Sequence, residues 1–483
     1  MYFNSYLFIL LFFPVLLAGY YLLNRFTNHT LGKVWLLLGS AVFYLCYGLE
    51  VSWVILLSMI INYSSYLLIR KNQAKSNPNA VKTIRNLAVT ANILLLGVFK
   101  YAMWLGTVAG TLFKNNFNMI HIIAPIGISF FTFTQISFIM DVAKDDDSNY
   151  NLLDYTLFTL FFAKILSGPI VTARSLIPQF NDKERKSLNF ENFSKGLYAF
   201  SFGLAKKVLL ADFFAIIVDF SYADVSAVNS TTALFTIFAF ALQLYFDFSG
   251  YSDMARGVGY MLNIDIMKNF NSPYKAVDII DFWKRWHISL TTFLTTYLYF
   301  PLGGNRKGKG RQYLNIMIVF LVSGLWHGAG LTFLIWGGLH GLFNILTRFV
   351  QPVLKKIPAF ICKIFTFLLV TVLWVFFRAS SFADALLMLK KPFEGNFGKL
   401  DDSLVESLLQ PTLFNIITQV APFLVAFSAV FVLSILSVMF LKNTDEKVES
   451  FKPTFFRSLI SIALISLSVL SLTGFTSFVY AGF

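Results

Sequence analysis

The sequence predicts an all-α protein that crosses a membrane many times, with about 11 to 13 embedded helices, some broken or re-entrant, around a central cavity or tunnel. Three observations lead there. Of 483 residues, 57% are hydrophobic and only 13% are charged, against roughly 25% charged in soluble domains. Apolar runs of about 20 residues, enough to cross a ~30 Å hydrocarbon layer as a helix, recur from end to end. The net charge of +14 is scattered through short loops, as positive-inside topology requires, and is not gathered on a face that would bind nucleic acid. No soluble domain interrupts the pattern, so residues 1–483 read as one membrane-embedded domain.

The first five spans fall at about 6–23, 33–49, 52–69, 87–112 and 122–143. The first has no base before Arg25 and no small-residue cleavage site after it, so it reads as an uncleaved span. The stretch Arg70–Arg85 carries five basic residues and no acid, which predicts a cytoplasmic loop. Arg25 and Lys33 then share its side, Glu50 lies opposite, and the N-terminus is expected outside. Pro125 and Gly127 suit a helix entrance or a kink, and Asp145-Asp-Asp-Ser-Asn-Tyr150 a solvated loop. Residues 152–180 carry Lys164 and the breaker Ser167-Gly-Pro169, so a broken element is expected.

Helices at about 193–220 and 231–262 carry Lys206, Lys207 and Asp212, then Gln243, Asp247, Asp253 and Arg256. Each charge costs about 2.5 to 3.5 kcal/mol at the membrane centre. They must therefore pair, line a wet cavity or sit at the interface. The i, i+3 spacing of Asp253 and Arg256 predicts an ion pair between those two. Later spans are expected at about 357–377, 411–441 and 455–476, with an interfacial amphipathic segment at about 382–410. Cys46 and Cys362 lie far apart in apolar sequence and read as small buried hydrophobes, with no metal site or disulfide framework. No transporter-like internal repeat is visible.

Titratable chemistry concentrates between Asp281 and Gly341, which holds His287, His327 and His340, three of the five histidines. Intramembrane histidines are functional candidates by default. On one continuous helix, Asp281, Lys284, His287, Thr291 and Thr295 would share a face within about 120°. Such a stripe fits an interfacial anchor as well as a functional face. Gly324-Leu-Trp-His-Gly328 and Gly337-Gly-Leu-His-Gly341 have the small-residue spacing that lets a neighbouring helix approach. Thirteen positions on an unbroken helix turn the second histidine about 220° from the first, so His340 is expected to make an inter-helix hydrogen bond instead of sharing a site with His327. The imidazole of His327 suits general base chemistry. The basic turn Gly303–Arg311 lacks phosphate-loop spacing and reads as a cytoplasmic loop, although four bases at a cavity mouth would attract an anionic ligand. There is no G-x-S-x-G nucleophile elbow.

At these residues the chain resembles the membrane-bound O-acyltransferase family, in its bacterial alginate O-acetylase-like branch. The motifs are Asn271-Ser-Pro-Tyr274, Asp281-Phe-Trp-Lys-Arg-Trp-His-Ile-Ser-Leu290, Tyr297-Leu-Tyr-Phe-Pro-Leu-Gly-Gly-Asn-Arg306 and Gly324-Leu-Trp-His-Gly328, echoed at Pro125–Phe133, Gly203–Val208, Phe246–Asp253 and Trp374–Arg378. The resemblance implies an O-acetyltransferase of a bacterial inner membrane that takes acetyl from cytoplasmic acetyl-CoA, with no bound cofactor or metal. It passes the group toward an extracytoplasmic acceptor on a cell-surface polysaccharide, with an extracytoplasmic acetyltransferase as partner. His327 matches the family's essential histidine and His287 its second polar position. Asp281, Lys284, Arg285, Thr291, Trp326, Asp247 and Asn271 are the candidate substrate or cavity-lining residues. Thr295-Thr296 stands where branch members usually have Arg-Asp. Two other readings compete: D-alanyl transfer to teichoic acid from a carrier-protein thioester, and a proton-coupled transporter.

Overall fold

The computed structural model describes residues 1–113, 123–144, 149–410, 412–472 and 478. Among them the regular structure is helical, with no strand. The first half runs α1 (Phe13–Phe26, continuing a π-helical turn Leu7–Phe12), α2 (His29–Leu45), α3 (Leu49–Ala74), α4 (Pro78–Phe113), α5 (Ile128–Val142), α6 (Leu152–Leu160), α7 (Ala173–Asn181), α8 (Phe190–Ala205), a π segment (Lys206–Ala211), α9 (Asp212–Ala223) and α10 (Ser230–Met261). There follow α11 (Ile279–Arg285), α12 (Ile288–Leu294), α13 (Lys309–His327), α14 (Leu331–Leu354), α15 (Ala359–Arg378), α16 (Phe382–Lys390), α17 (Asp402–Leu408), α18 (Thr412–Val420), α19 (Phe423–Phe440), α20 (Thr444–Glu449) and α21 (Phe455–Leu470). Asparagines open several helices: the side-chain oxygens of Asn28, Asn151, Asn189, Asn229 and Asn443 each accept the N–H three residues on, satisfying a donor that the first turn leaves without an intrahelical partner.

The chain is an all-α polytopic membrane protein. Seven helices among the described residues are long and apolar enough to span a bilayer, and α2, α5 and α21 are shorter apolar helices. The other expected spans are the broken or polar ones: α6 with α7, α8 with its π segment and α9, and α11 to α13. One large apolar core gathers α1 to α8 with the C-terminal half of α10, and a second gathers α9, the N-terminal half of α10 and later elements as far as α19. Helices α8 and α10 meet backbone to backbone, because a Cβ on Gly196 would lie 2.5 Å from the Gly257 carbonyl oxygen and one on Gly203 2.6 Å from that of Gly250. A smaller cluster of Phe130, Phe133, Leu290, Phe293, Leu294 and Trp326 ties α5, α12 and α13 together.

Several expectations hold. Gly127 sits at φ 75° as the N-cap of α5, a left-handed conformation that glycine adopts without Cβ strain. Residues 152–180 do break, with turns between α6 and α7. The buried charges pair: Lys207 Nζ lies 2.9 Å from Asp212 and 2.8 Å from Asp247.

Others need correction. Asp253 pairs with Lys206 at 2.7 Å and Arg256 with Asp445 of α20, so tertiary partners displace the expected Asp253–Arg256 pair. The expected span 411–441 is two helices, α18 and α19, separated at Ala421-Pro422, since proline cannot donate within a helix. Most of Arg70–Arg85 is helical, with α3 and α4 running on either side of a short turn. Cys46 is exposed and only Cys362 is buried. The acidic run at 145–148 lies outside the described residues.

Candidate active site

His287 does not lie on a continuous helix. Helix α11 ends at Arg285, α12 begins at Ile288, and His287 between them holds φ 45°, ψ 55°. That left-handed conformation costs a non-glycine residue about 1 to 3 kcal/mol and persists only where the surroundings enforce it. Asn269 supplies the enforcement. Its backbone oxygen accepts from Ile288 N at 2.9 Å, its Oδ1 accepts from Ser289 N at 3.0 Å, and the same Oδ1 lies 3.3 Å from His287 Nδ1. One residue thus caps α12 and steers the imidazole. The break also undoes the expected common face: His287 turns inward, fully buried against Phe248, while Lys284 on the neighbouring helix is exposed.

His327 is the last residue of α13, and Gly328 to Gly330 carry the chain back into α14. These helices lie close because Gly324 and Gly337 face each other: a Cβ on Gly337 would come 3.2 Å from Gly324 Cα and collide with the Phe320 carbonyl. The His327 ring, 1% exposed, sits among Trp326, Trp336 and Phe377 at centroid distances of 4.8, 5.1 and 5.2 Å. The His287 ring lies 6.4 Å from it. Two imidazoles, each delivered by a helix interruption, therefore stand side by side inside an aromatic shell. His340 packs on the same Trp336 ring at 4.8 Å, and its Nδ1 accepts from Trp283 Nε1 of α11 at 3.1 Å, the inter-helix bond expected of it.

A cavity of about 220 Å³ opens between α11, α12, α13 and α14. Trp283, Lys284, Thr291, Thr295, Ser323 and Arg348 line it. Ser323 lies one turn before His327 on α13, and Lys284 and Arg348 give the cavity two positive charges. The imidazoles themselves do not line it. Of the candidate residues, Lys284 and Thr291 reach this cavity. Trp326 packs against Phe133 at 5.3 Å and beside His327. Asp281, Arg285, Asn271 and Asp247 hold the scaffold instead: Arg285 Nε pairs with Asp281 at 2.9 Å, its Nη1 donates to the Asn271 oxygen, and Asp247 is taken up by Lys207.

Two contacts were not singled out from the sequence. Asn269 is one, and its signal is slight, an asparagine two before the Asn271 motif. Lys100 of α4 is the other: its ammonium donates to the carbonyl oxygens of Trp326 and His327 and to Ser129 Oγ. A lone base in the apolar run 87–112 was the available sign. No cluster of three or more metal-ligating side chains exists among the described residues.

The family model for the membrane-bound O-acyltransferase family matches residues 87–381, a span that holds Lys100, Asn269, His287 and His327. This chain belongs to that family. It is 40% identical over 419 residues to a peptidoglycan O-acetyltransferase of Helicobacter pylori, covering 80% of this chain and 79% of the relative. It is 37% identical over 401 residues to a protein of Pseudomonas aeruginosa named as a probable alginate O-acetylase, covering 81% and 75%. A teichoic acid D-alanyltransferase of Bacillus subtilis is 28% identical over 253 residues, covering 49% and 62%. The chain is therefore an O-acyltransferase, and the transporter reading falls away.

Proposed function

We propose that this acyltransferase moves acetyl from acetyl-CoA on the cytoplasmic side toward a hydroxyl of an extracytoplasmic, cell-surface polysaccharide, with the N-terminus outside. The reading rests chiefly on the adjacent imidazoles of His287 and His327, 6.4 Å apart where two helices break. His327 takes the hydroxyl proton as the oxygen attacks the thioester carbonyl. The C–O bond forms, the C–S bond breaks, and the proton passes from His327 to the departing thiolate. General acid–base help of this kind contributes about 10²- to 10⁴-fold. His287, steered by Asn269, orients the reacting groups. Lys284 and Arg348 suit an anionic, nucleotide-bearing donor at the cavity. The relatives' names support acetyl and a polysaccharide or peptidoglycan acceptor. An extracytoplasmic acetyltransferase is the partner that this reading expects beside it.

The test is donor choice. Membranes carrying the protein are given labelled acetyl-CoA in one arm and D-alanine charged on a carrier protein in the other. Label entering hydroxyl ester from acetyl-CoA alone is the expected result. Transfer only from the charged carrier overturns the acetyl assignment in favour of the alanyl one.

A further inference from the structure

Lys100 sits inside the spanning helix α4, where a lysine costs about 2.5 to 3.5 kcal/mol at the membrane centre unless its charge is used. Among the ion pairs of the described residues it has no carboxylate partner. Its ammonium is directed at the end of α13: the Trp326 carbonyl, the His327 carbonyl at 3.4 Å and Ser129 Oγ at 3.0 Å. It also lies 5.8 Å from the centroid of the Trp326 ring.

The last carbonyls of a helix have no intrahelical donor and carry the negative end of the helix dipole. At α13 the last three belong to Leu325, Trp326 and His327. Trp326 is held from a second direction, since its Nε1 donates to the Ser129 carbonyl at 3.3 Å. The next residue of α4 adds a neutral contact to the same helix, Tyr101 Oη donating to the Leu325 carbonyl at 2.5 Å.

We infer that Lys100 is a positioning residue for acyl transfer: its ammonium, fixed by Ser129, pins the terminal carbonyls of α13 and so sets the reach and angle of the His327 imidazole toward the reacting groups. The inference rests on the acyl-transfer reading given above. It separates the charge of Lys100 from the plain stapling that Tyr101 provides. A small misplacement of a catalytic group costs as much as about 100-fold in rate. A group acting only through another's position lowers kcat and leaves donor KM alone.

The experiment measures kcat and donor KM with acetyl-CoA for purified full-length wild type, Lys100→Met, Lys100→Gln, Lys100→Arg, Tyr101→Phe and His327→Ala, each checked for a monodisperse, folded species. Lys100→Met and Lys100→Gln are expected to lose about 10- to 100-fold in kcat with KM within about twofold. Lys100→Arg keeps the cation and is expected to retain at least about a third of kcat, and Tyr101→Phe to lose thermal stability more than kcat. Wild-type kcat in folded Lys100→Met or Lys100→Gln overturns the inference. So does a rise in donor KM at constant kcat, and so does failure of both variants to fold while Lys100→Arg folds but stays inactive. An active His327→Ala protein overturns the underlying reading instead, and carries this inference down with it.

Discussion

Replacing Asn269 with leucine removes the side chain that enforces the break at His287 while roughly conserving volume. Asn269 is 1% exposed, so water does not replace what is lost. The cap bond from Ser289 N, 3.0 Å long, is worth about 1 kcal/mol as a helix N-cap. Leaving that buried N–H unsatisfied raises the cost to about 1 to 3 kcal/mol. The His287 Nδ1 contact at 3.3 Å adds about 0.5 to 1.5 kcal/mol. These overlap, so Asn269→Leu is expected to lower stability by about 2 to 4 kcal/mol. With the His287 ring no longer steered, acyl transfer per folded molecule is expected to fall by about 100-fold. Thermal unfolding of the detergent-solubilised protein and turnover of the folded fraction read the two effects separately. Asn269→Asp keeps the accepting oxygen and is expected to keep the cap. Wild-type melting and turnover in Asn269→Leu would show that something other than Asn269 holds the left-handed turn at His287.

Two further perturbations probe the scaffold. Gly337→Val places branched carbon against the Phe320 carbonyl and within 3.2 Å of Gly324 Cα, which forces α13 and α14 apart at a cost of about 1 to 3 kcal/mol or more; Gly338→Ala, whose Cβ would meet only Leu321 Cδ2 at 3.7 Å, is expected to be neutral, and fluorescence-detected size-exclusion of heated samples distinguishes them. Lys207→Met strips the cation from Asp247, which is 1% exposed, and is expected to destabilise by about 3 to 5 kcal/mol; adding Asp247→Asn to the same protein is expected to restore part of the loss, measured by the same assay.

Hydropathy made most long helices legible, because a lipid-facing helix declares itself by composition along one continuous segment. Local breakers were legible too: Gly127 and Ser167-Gly-Pro169 act through their own backbone restrictions. The break at His287 was not. No glycine or proline marks Arg285-Trp-His-Ile288, and the turn is imposed by Asn269, which lies eighteen positions earlier than His287. Periodicity assumed one helix across that point, and the shared face it gave to Asp281, Lys284 and His287 dissolved with the assumption. Charge pairing failed for a related reason. The i, i+3 rule sees only neighbours along one helix, whereas Asp253 and Arg256 found Lys206 and Asp445 on other elements. The two histidines were visible as residue types in an improbable place, but not their closeness, which depends on α12 and α13 meeting through the cluster of Phe130, Phe133 and Trp326.

Acyl transfer turns on the imidazole at the end of α13. The most direct measurement is transfer of labelled acetyl by purified His327→Ala protein, beside wild type of equal folded concentration. A loss of at least about 100-fold is expected, the lower range for a general base, with an unchanged elution profile. Turnover within a few-fold of wild type would contradict it.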